Sequence, residues 1–336
     1  MLRTLLLLSI MQLMTACGQA QETMKEKNNN SALICDPDTG MCAIPGHEHA
    51  EGSLDAIEMN SSNNAAITIQ YFSDPICSSC WGVEPQLRKL KLAYGDAIRI
   101  DMHMGGLLPG WEGYNGGGIT SPADVAVHWD EASAHYRMPI IGDVWIEDPL
   151  ASSYPPSIAY KAAELQGIGK AERFMRRIRE MVFMEKKNIA RSEVQLKAAT
   201  QVELDTTKLK NDIAGAAKAL FNADLTLARA MGVRGFPSMF FSNENGERQL
   251  VYGSRPYGTF EDAVKKLAPD LKPAPLPTSI EELFDRYDSW TAQEAAVVLG
   301  ISHDEARKML SSAEKEGKLS AIHTRNGSVW HRADRR

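Results

Sequence analysis

Positive charge is not in excess in this sequence of 336 residues: 37 Lys and Arg stand against 43 Asp and Glu, a formal charge of -6. Binding to a polyanion needs a basic field, so composition speaks against a nucleic-acid partner. Long apolar runs are missing after the first residues, which argues against a membrane-spanning helix in the rest of the chain. Cysteine is scarce, five in all, and every one sits in a local pattern that can be weighed by its spacing.

The first of them ends the stretch MLRTLLLLSIMQLMTAC. Arg3 supplies a positive end, Leu5 to Leu13 an apolar centre too short to span as a mature helix, and Thr15-Ala16-Cys17 a small-residue exit. This pattern resembles a bacterial lipoprotein signal, with Cys17 as the lipidated first residue. A plain secretory signal with Cys17 incidental is the alternative. Export to the cell envelope is expected, on the periplasmic face. Gly18 in place of Asp favours the outer membrane over the inner. Residues 18–64 read as a flexible tether, rich in Asn, Ser, Glu and Lys, with Asn28-Asn29-Asn30 and Ser61-Ser62-Asn63-Asn64.

Outside the cytosol disulfides form and persist. The remaining four cysteines fall in two close pairs, Cys35/Cys42 and Cys77/Cys80. Around the second pair the pattern is strand, helix, strand. Residues 65–72 are β-branched and aromatic, a helical period runs from Cys77 to Tyr94-Gly95, and Ile98 to Met104 is a second strand. A helical block of about 119–231 follows. It has helices opening at Ser121-Pro122 and Pro155-Pro156, an amphipathic helix from Ala171 to Lys187, and a long helix capped by Thr206 or Thr207 and running to Met231. Ser238 to Phe241, Asn245-Gly246 and Gln249 to Tyr252 form a hairpin, and Phe260 to Leu267 a closing helix. A Pro-rich linker at 269–278 then leads to a separate unit at 279–336. There two helices flank Gly300 and a hairpin turns at Asn326-Gly327, reading as a winged helix-turn-helix. Acids and bases balance in it, so a protein contact is expected of it rather than DNA binding.

Cys77 and Cys80 lie where a strand ends and a helix begins. The N–H groups and dipole of a helix start stabilise a thiolate. Cys77 is therefore expected to be exposed and anionic, with Cys80 one turn deeper to resolve a mixed disulfide. Asp74 and Glu84 flank that helix as candidate proton acceptors. Gly232-Val-Arg-Gly-Phe-Pro237 places Phe236 and Pro237 before the returning strand, where a cis peptide would leave backbone free to pair with an extended substrate. An inert disulfide or half a metal site is the alternative for the thiols. The spacing and the absence of a second Cys-x-x-Cys oppose it.

Phe-Ser-Asp-Pro-x-Cys-x-x-Cys-Trp-Gly and Gly-Phe-Pro, set in this order of elements, resemble the DsbA family of thioredoxin-fold proteins over residues 65–268. Asp74-Pro75, Trp81-Gly82, Glu84-Pro85, Tyr94-Gly95 and Gly105-Gly106-Leu107-Leu108 are most similar to its FrnE and YjbH branch. The resemblance implies a thioredoxin fold with a large helical insertion, Cys77 as nucleophile, Cys80 as resolving thiol and Pro237 as the cis-proline. Trp81, Phe236 and Pro237 are the substrate-binding residues it implies. No cofactor is expected beyond the redox-active Cys77–Cys80 disulfide. The partners expected are cysteine-containing exported proteins and an envelope redox protein. The first reading is therefore a protein disulfide oxidoreductase or isomerase that exchanges disulfides with exported proteins through Cys77 and Cys80. Relatives on the YjbH side act as adaptors, so a redox-responsive protein adaptor is the second reading.

For Cys35 and Cys42 three readings stand: a local disulfide, a redox relay with Cys77 and Cys80, or a Zn²⁺ or Cu⁺ site completed by His47 and His49. His103 and His128 join no constellation that the sequence shows.

Overall fold

The computed structural model describes residues 65–114 and 118–333, together with the backbone of 35–36 and 41–43. The expectations for Cys17, His47 and His49 lie outside the described residues. Two short strands, β1 (Cys35–Asp36) and β2 (Met41–Ala43), come first. Then follow β3 (Ile67–Ser73), α1 (Ser78–Gly82), α2 (Glu84–Tyr94) and β4 (Ile98–Met104). The helical block holds α3 (Pro122–Tyr136), α4 (Val144–Glu147), α5 (Tyr154–Glu164), α6 (Ile168–Met184), α7 (Ser192–Gln201), α8 (Thr206–Ala214) and α9 (Ala216–Ala230). The chain returns through β5 (Gly235–Phe236), β6 (Ser238–Asn243), β7 (Arg248–Tyr252) and α10 (Tyr257–Leu267). Last come α11 (Ile280–Arg286), β8 (Ser289–Thr291), α12 (Ala292–Leu299), α13 (His303–Lys315), β9 (Leu319–Thr324) and β10 (Gly327–Arg332). Among the described residues no helix is long and apolar enough to cross a membrane.

The central sheet has the order β4-β3-β6-β7, with β3 and β4 parallel and the other neighbours antiparallel. This is the thioredoxin-like arrangement with a helical insertion between β4 and β5. Strand alternation decides what lies on each face. Ile67, Ile69, Tyr71, Met239 and Phe241 meet Leu87 and Leu90 of α2 and Phe260 and Val264 of α10. Phe72, Met104 and Phe240 point the other way, into the helical block.

Two helices differ from the sequence reading. Helix α2 is a separate element rather than a continuation of α1, because the chain breaks at Val83 and Pro85 sits in the first turn of the new helix. The long helix expected over 206–231 is split at Gly215, and its cap is Asp205, whose carboxylate accepts from the N–H groups of Thr207 and Lys208. Glycine is a poor helix former in mid-segment, so the break follows the residue.

The C-terminal elements form their own antiparallel sheet, β8-β10-β9, around Trp290 and Trp330. They do not stand apart on a stiff spacer. Ala274 N donates to Ala93 O at 2.6 Å, and Leu271 and Leu276 of the linker pack on the main core. At the hairpin tip, Arg325 pairs with Asp130 and Asp143, and Asn326 Nδ2 donates to Asp130 and to Ile140 O. The hairpin that would serve as a wing is thus seated on the helical block of its own chain.

Candidate redox site

Strand β3 delivers the chain into a turn organised by Asp74. Its Oδ1 accepts from Ile76 N at 3.1 Å; its Oδ2 accepts from Leu107 N at 2.7 Å and Ser153 Oγ at 2.8 Å. One carboxylate therefore ties together the cysteine loop, the loop after β4 and the start of α5. Burial is the largest influence on it and raises its pKa to about 6, against the Leu107, Ile76 and Ser153 hydrogen bonds and the charge of Arg179. A carboxyl with a folded pKa above its unfolded value of 3.8 contributes stability that is full below 3.8 and lost as pH rises through about 6. The unfolding free energy from urea titrations should fall by roughly 3 kcal/mol across that window. Asp74→Asn, with no proton to lose, should lack this slope; an equal slope in the variant would refute the assignment.

Cys77 caps α1, and Cys80 N donates to its Sγ at 3.1 Å. Both thiols are fully buried, so the expectation of an exposed Cys77 is corrected. Helix α3 of the insertion packs across α1, with Ser79 Oγ and Tyr136 Oη 2.8 Å apart. A Cβ at Gly82 would come within 2.4 Å of the Tyr136 ring, so only glycine permits this approach.

The charge also falls differently from the sequence reading. Burial is the largest influence on Cys77 and raises its pKa, and the Cys77–Cys80 hydrogen bond raises it further, well above the ordinary thiol value. Burial opposes ionisation of Cys80 too, but the hydrogen bond from Cys77, the Arg179 charge, the Ser73 hydroxyl and the Asp74 backbone bring it below the ordinary value. Of the two sulfurs, Cys80 is the more readily ionised.

Arg179, which the sequence reading did not single out, is the cation of the site. It is wholly buried; Nη1 donates to Glu84 Oε1 at 2.5 Å, and Nη2 donates to Ser73 Oγ at 2.7 Å and Asp74 O at 3.3 Å. Glu84 thus faces a guanidinium. A signal was present: Arg179 occupies the apolar stripe of α6 shared by Ala171, Met175, Ile178 and Val182, where a charge needs a buried partner.

The Phe236–Pro237 peptide is cis, as the sequence reading anticipated. Phe236 and Trp81 are both fully buried, which corrects the expectation that their side chains meet a substrate. The Phe236 ring fills the space beside Gly105, where a Cβ would lie 1.8 Å from it. Trp81 Nε1 donates to Pro139 O at 3.1 Å, and Arg176 stacks over its ring at 4.5 Å. The backbone of β5 is used instead: it pairs antiparallel with β2, Cys42 opposite Phe236 and Ala43 opposite Gly235.

From Arg176 the polar network reaches the C-terminal unit. Arg176 takes Glu294 with Nη1 at 2.6 Å and Nη2 at 3.1 Å, and Glu180 with Nε at 2.7 Å; Arg88 Nε meets Glu294 at 3.1 Å. His103 belongs to a different group, with Nδ1 2.8 Å from Asp224, which also holds Lys161. No local pattern in the sequence joins His103 to this group, because Asp224 comes from α9.

Comparison with known proteins places this architecture. Residues 71–262 match the family model described as thioredoxin. A ClpXP adapter protein SpxH from Halalkalibacterium halodurans is 33% identical over 305 residues, covering 88% of this chain and 96% of the relative. The protein of the same name from Bacillus subtilis is 31% identical over 271 residues, covering 79% and 88%. Among solved structures, the cytosolic disulfide reductase DsbM from Pseudomonas aeruginosa shares the fold with a TM-score of 0.50 at 22% identity, covering 60% of this chain and all of that one. The chain is a member of the thioredoxin family and of the family to which these SpxH-named relatives belong.

Proposed function

We propose that this chain is a redox-responsive protein adaptor built on the DsbA-like thioredoxin fold. The observation that carries this reading is the match, over 88% of this chain and 96% of the relative, to a protein named as a ClpXP adapter protein. The burial of both thiols supports it, since a buried sulfur is a poor acceptor for bulky clients. So does the network that joins the sulfurs to the C-terminal unit. Burial raises the Cys80 pKa while the hydrogen bond from Cys77 and the Arg179 charge on α6 lower it, so oxidation of the pair removes the thiol whose ionised form Arg179 favours. Arg176, one turn earlier on that helix, holds Glu294 of the C-terminal unit.

Partners captured by the full chain should still be retained when Cys77 and Cys80 are both changed to serine, and the retained amount should no longer depend on added oxidant or reductant. Loss of every partner in that variant would end the adaptor reading. The expected lipid anchor at Cys17 belongs to the same proposal and decides the compartment. Cell fractions of wild type and Cys17→Ser should show the chain moving from membrane to soluble material. Soluble wild-type protein co-purifying with ClpXP would instead assign it the partner named for its relatives.

Thiol–disulfide exchange with other proteins is the second reading, favoured by the thioredoxin-family match and by Cys77 at a helix cap. Under this reading Cys77→Ser abolishes insulin reduction; full activity in that variant removes it.

A further inference from the structure

A hairpin occupies the strand edge beside the thiols. β2 pairs with β5 immediately before Pro237, and the Cα atoms of β2 come within 8 Å of those of α1, the helix capped by Cys77. β1 pairs in turn with β2, and the register sets Cys35 directly opposite Cys42. Directly opposed residues of an antiparallel pair have Cα separations of about 4.5–5.5 Å, inside the range a disulfide needs. The edge that an extended peptide would join by strand addition is therefore taken by a segment that carries its own cysteine pair. In the sequence this pair stands 35 residues ahead of Cys77, with no local signal that the two meet.

We infer that the Cys35–Cys42 hairpin is a built-in substrate of the Cys77/Cys80 pair, docked on β5 and exchanging its disulfide with them. The inference deepens the redox-responsive reading and rests on it, because it names the group that oxidises or reduces the buried sulfurs. The steps balance without an outside reagent. The proton shared by the pair moves to Cys80, and the Cys77 thiolate attacks Cys42 Sγ. The Cys35–Cys42 bond breaks, and Cys35 leaves as a thiolate that takes up a proton from water. Cys80 then loses its proton to water and attacks Cys77 Sγ, releasing Cys42 as a thiolate that is protonated in turn. Two electrons have passed from Cys77/Cys80 to Cys35/Cys42, and the reverse sequence returns them. Tethering makes the exchange intramolecular, with an effective concentration that a solution disulfide at micromolar level does not reach.

The test uses the full chain with Cys35→Ser and Cys80→Ser, which removes the resolving sulfur from each pair. After incubation with oxidised glutathione and digestion without reductant, mass spectrometry should find most of Cys77 linked to Cys42. Cys77 found as its glutathione adduct, without the Cys42 link, overturns the inference and leaves Cys77 competent for exchange. Cys77 unmodified overturns the inference and the exchange chemistry together. Partner capture by this variant reports on the adaptor reading separately. A second measurement keeps all four native sulfurs except one. Cys77→Ala should slow reduction of the Cys35–Cys42 disulfide in a glutathione buffer by roughly tenfold or more, and an unchanged rate overturns the inference. Ala43→Pro, which removes one backbone donor from the docked strand, should lower the yield of the Cys42–Cys77 link; an unchanged yield would contradict docking through β5.

Discussion

Changing Glu294 to alanine should lower the free energy of unfolding by about 3–5 kcal/mol, the range seen when one partner of a buried ion pair is removed. The side chain is wholly shielded from solvent and faces two guanidiniums, Arg88 and Arg176, while its Oε2 accepts from Thr291 N at 2.8 Å as half of the capping box of α12. Without it those two cations lie near each other in the interior, and burial and the Arg176 charge already hold Arg88 below its ordinary pKa. Arg176 retains Glu180, whereas Arg88 is left with its contact to Ser289 O and its stacking on Tyr287 and Trp290. The loss should fall on the junction between α2, α6 and the C-terminal unit, so limited proteolysis should newly cut the linker at 269–278. Urea titration supplies the magnitude. Glu282→Ala is the control, because it removes an exposed carboxylate that accepts from Thr278 at the start of α11, at a cost of only about 1 kcal/mol. Equal losses in the two variants would show that Glu294 holds nothing beyond its own helix cap.

The acid response follows from the same cluster. Burial disfavours the charge on Glu180, yet Arg176, His331 and Arg177 lower its carboxyl to about 2. A carboxyl depressed in this way contributes stability above its unfolded value of 4.5 and loses it as pH falls through about 2. Glu294 is depressed in the same direction by the same two arginines that it joins. Docking of the C-terminal unit is therefore strongest above pH 4.5 and weakens as pH falls through about 2.

How much of this could be read in the sequence depends on whether a feature is local. The strands Ile67–Ser73 and Ile98–Met104 alternate in place, Ser121-Pro122 opens a helix, and Asn326-Gly327 turns a hairpin, because strand period and turn chemistry are written in neighbouring residues. Helix α7 and the short strand β8 were not singled out, since neither has a long apolar period of its own. The site is legible in the same measure. Cys77, Cys80 and Pro237 are marked by spacing, but the place of the charge depends on Arg179, a residue 99 positions after Cys80. A helix start favours a thiolate at a sulfur that water reaches. Once α3 closes over α1, burial dominates, and the hydrogen bond between the sulfurs together with the Arg179 charge favours ionisation at Cys80. The fate of the C-terminal unit was hidden for a similar reason: a Pro-rich linker reads as a spacer, and nothing local shows that Leu271 and Leu276 pack on the core.

Arg179→Met should raise the pH of the first deprotonation of the thiol pair, because it removes an opposite charge that favours the Cys80 anion, followed through the ultraviolet absorbance of the thiolate. Burial raises the pKa of Cys80; the hydrogen bond from Cys77 and the charge of Arg179, whose fully buried guanidinium donates to Glu84 and Ser73, lower it. Methionine fills much of the volume and removes the charge. It leaves Glu84 without its guanidinium partner and should cost about 3–5 kcal/mol of stability. The two effects are linked. A thiol whose folded pKa is depressed contributes stability that is complete above its unfolded value and is lost as pH falls through the folded one. Wild type should therefore gain stability between neutral and alkaline pH from Cys80, and the variant should lack that gain. Arg179→Lys is a demanding comparison, since it keeps the charge but not the planar fork that serves Glu84 and Ser73 together. It should restore part of the titration shift and little of the stability. If the methionine variant titrates like wild type, the Cys80 anion is favoured by the hydrogen bond from Cys77 rather than by Arg179, and the route from the sulfurs through α6 to Glu294 has no charge to carry.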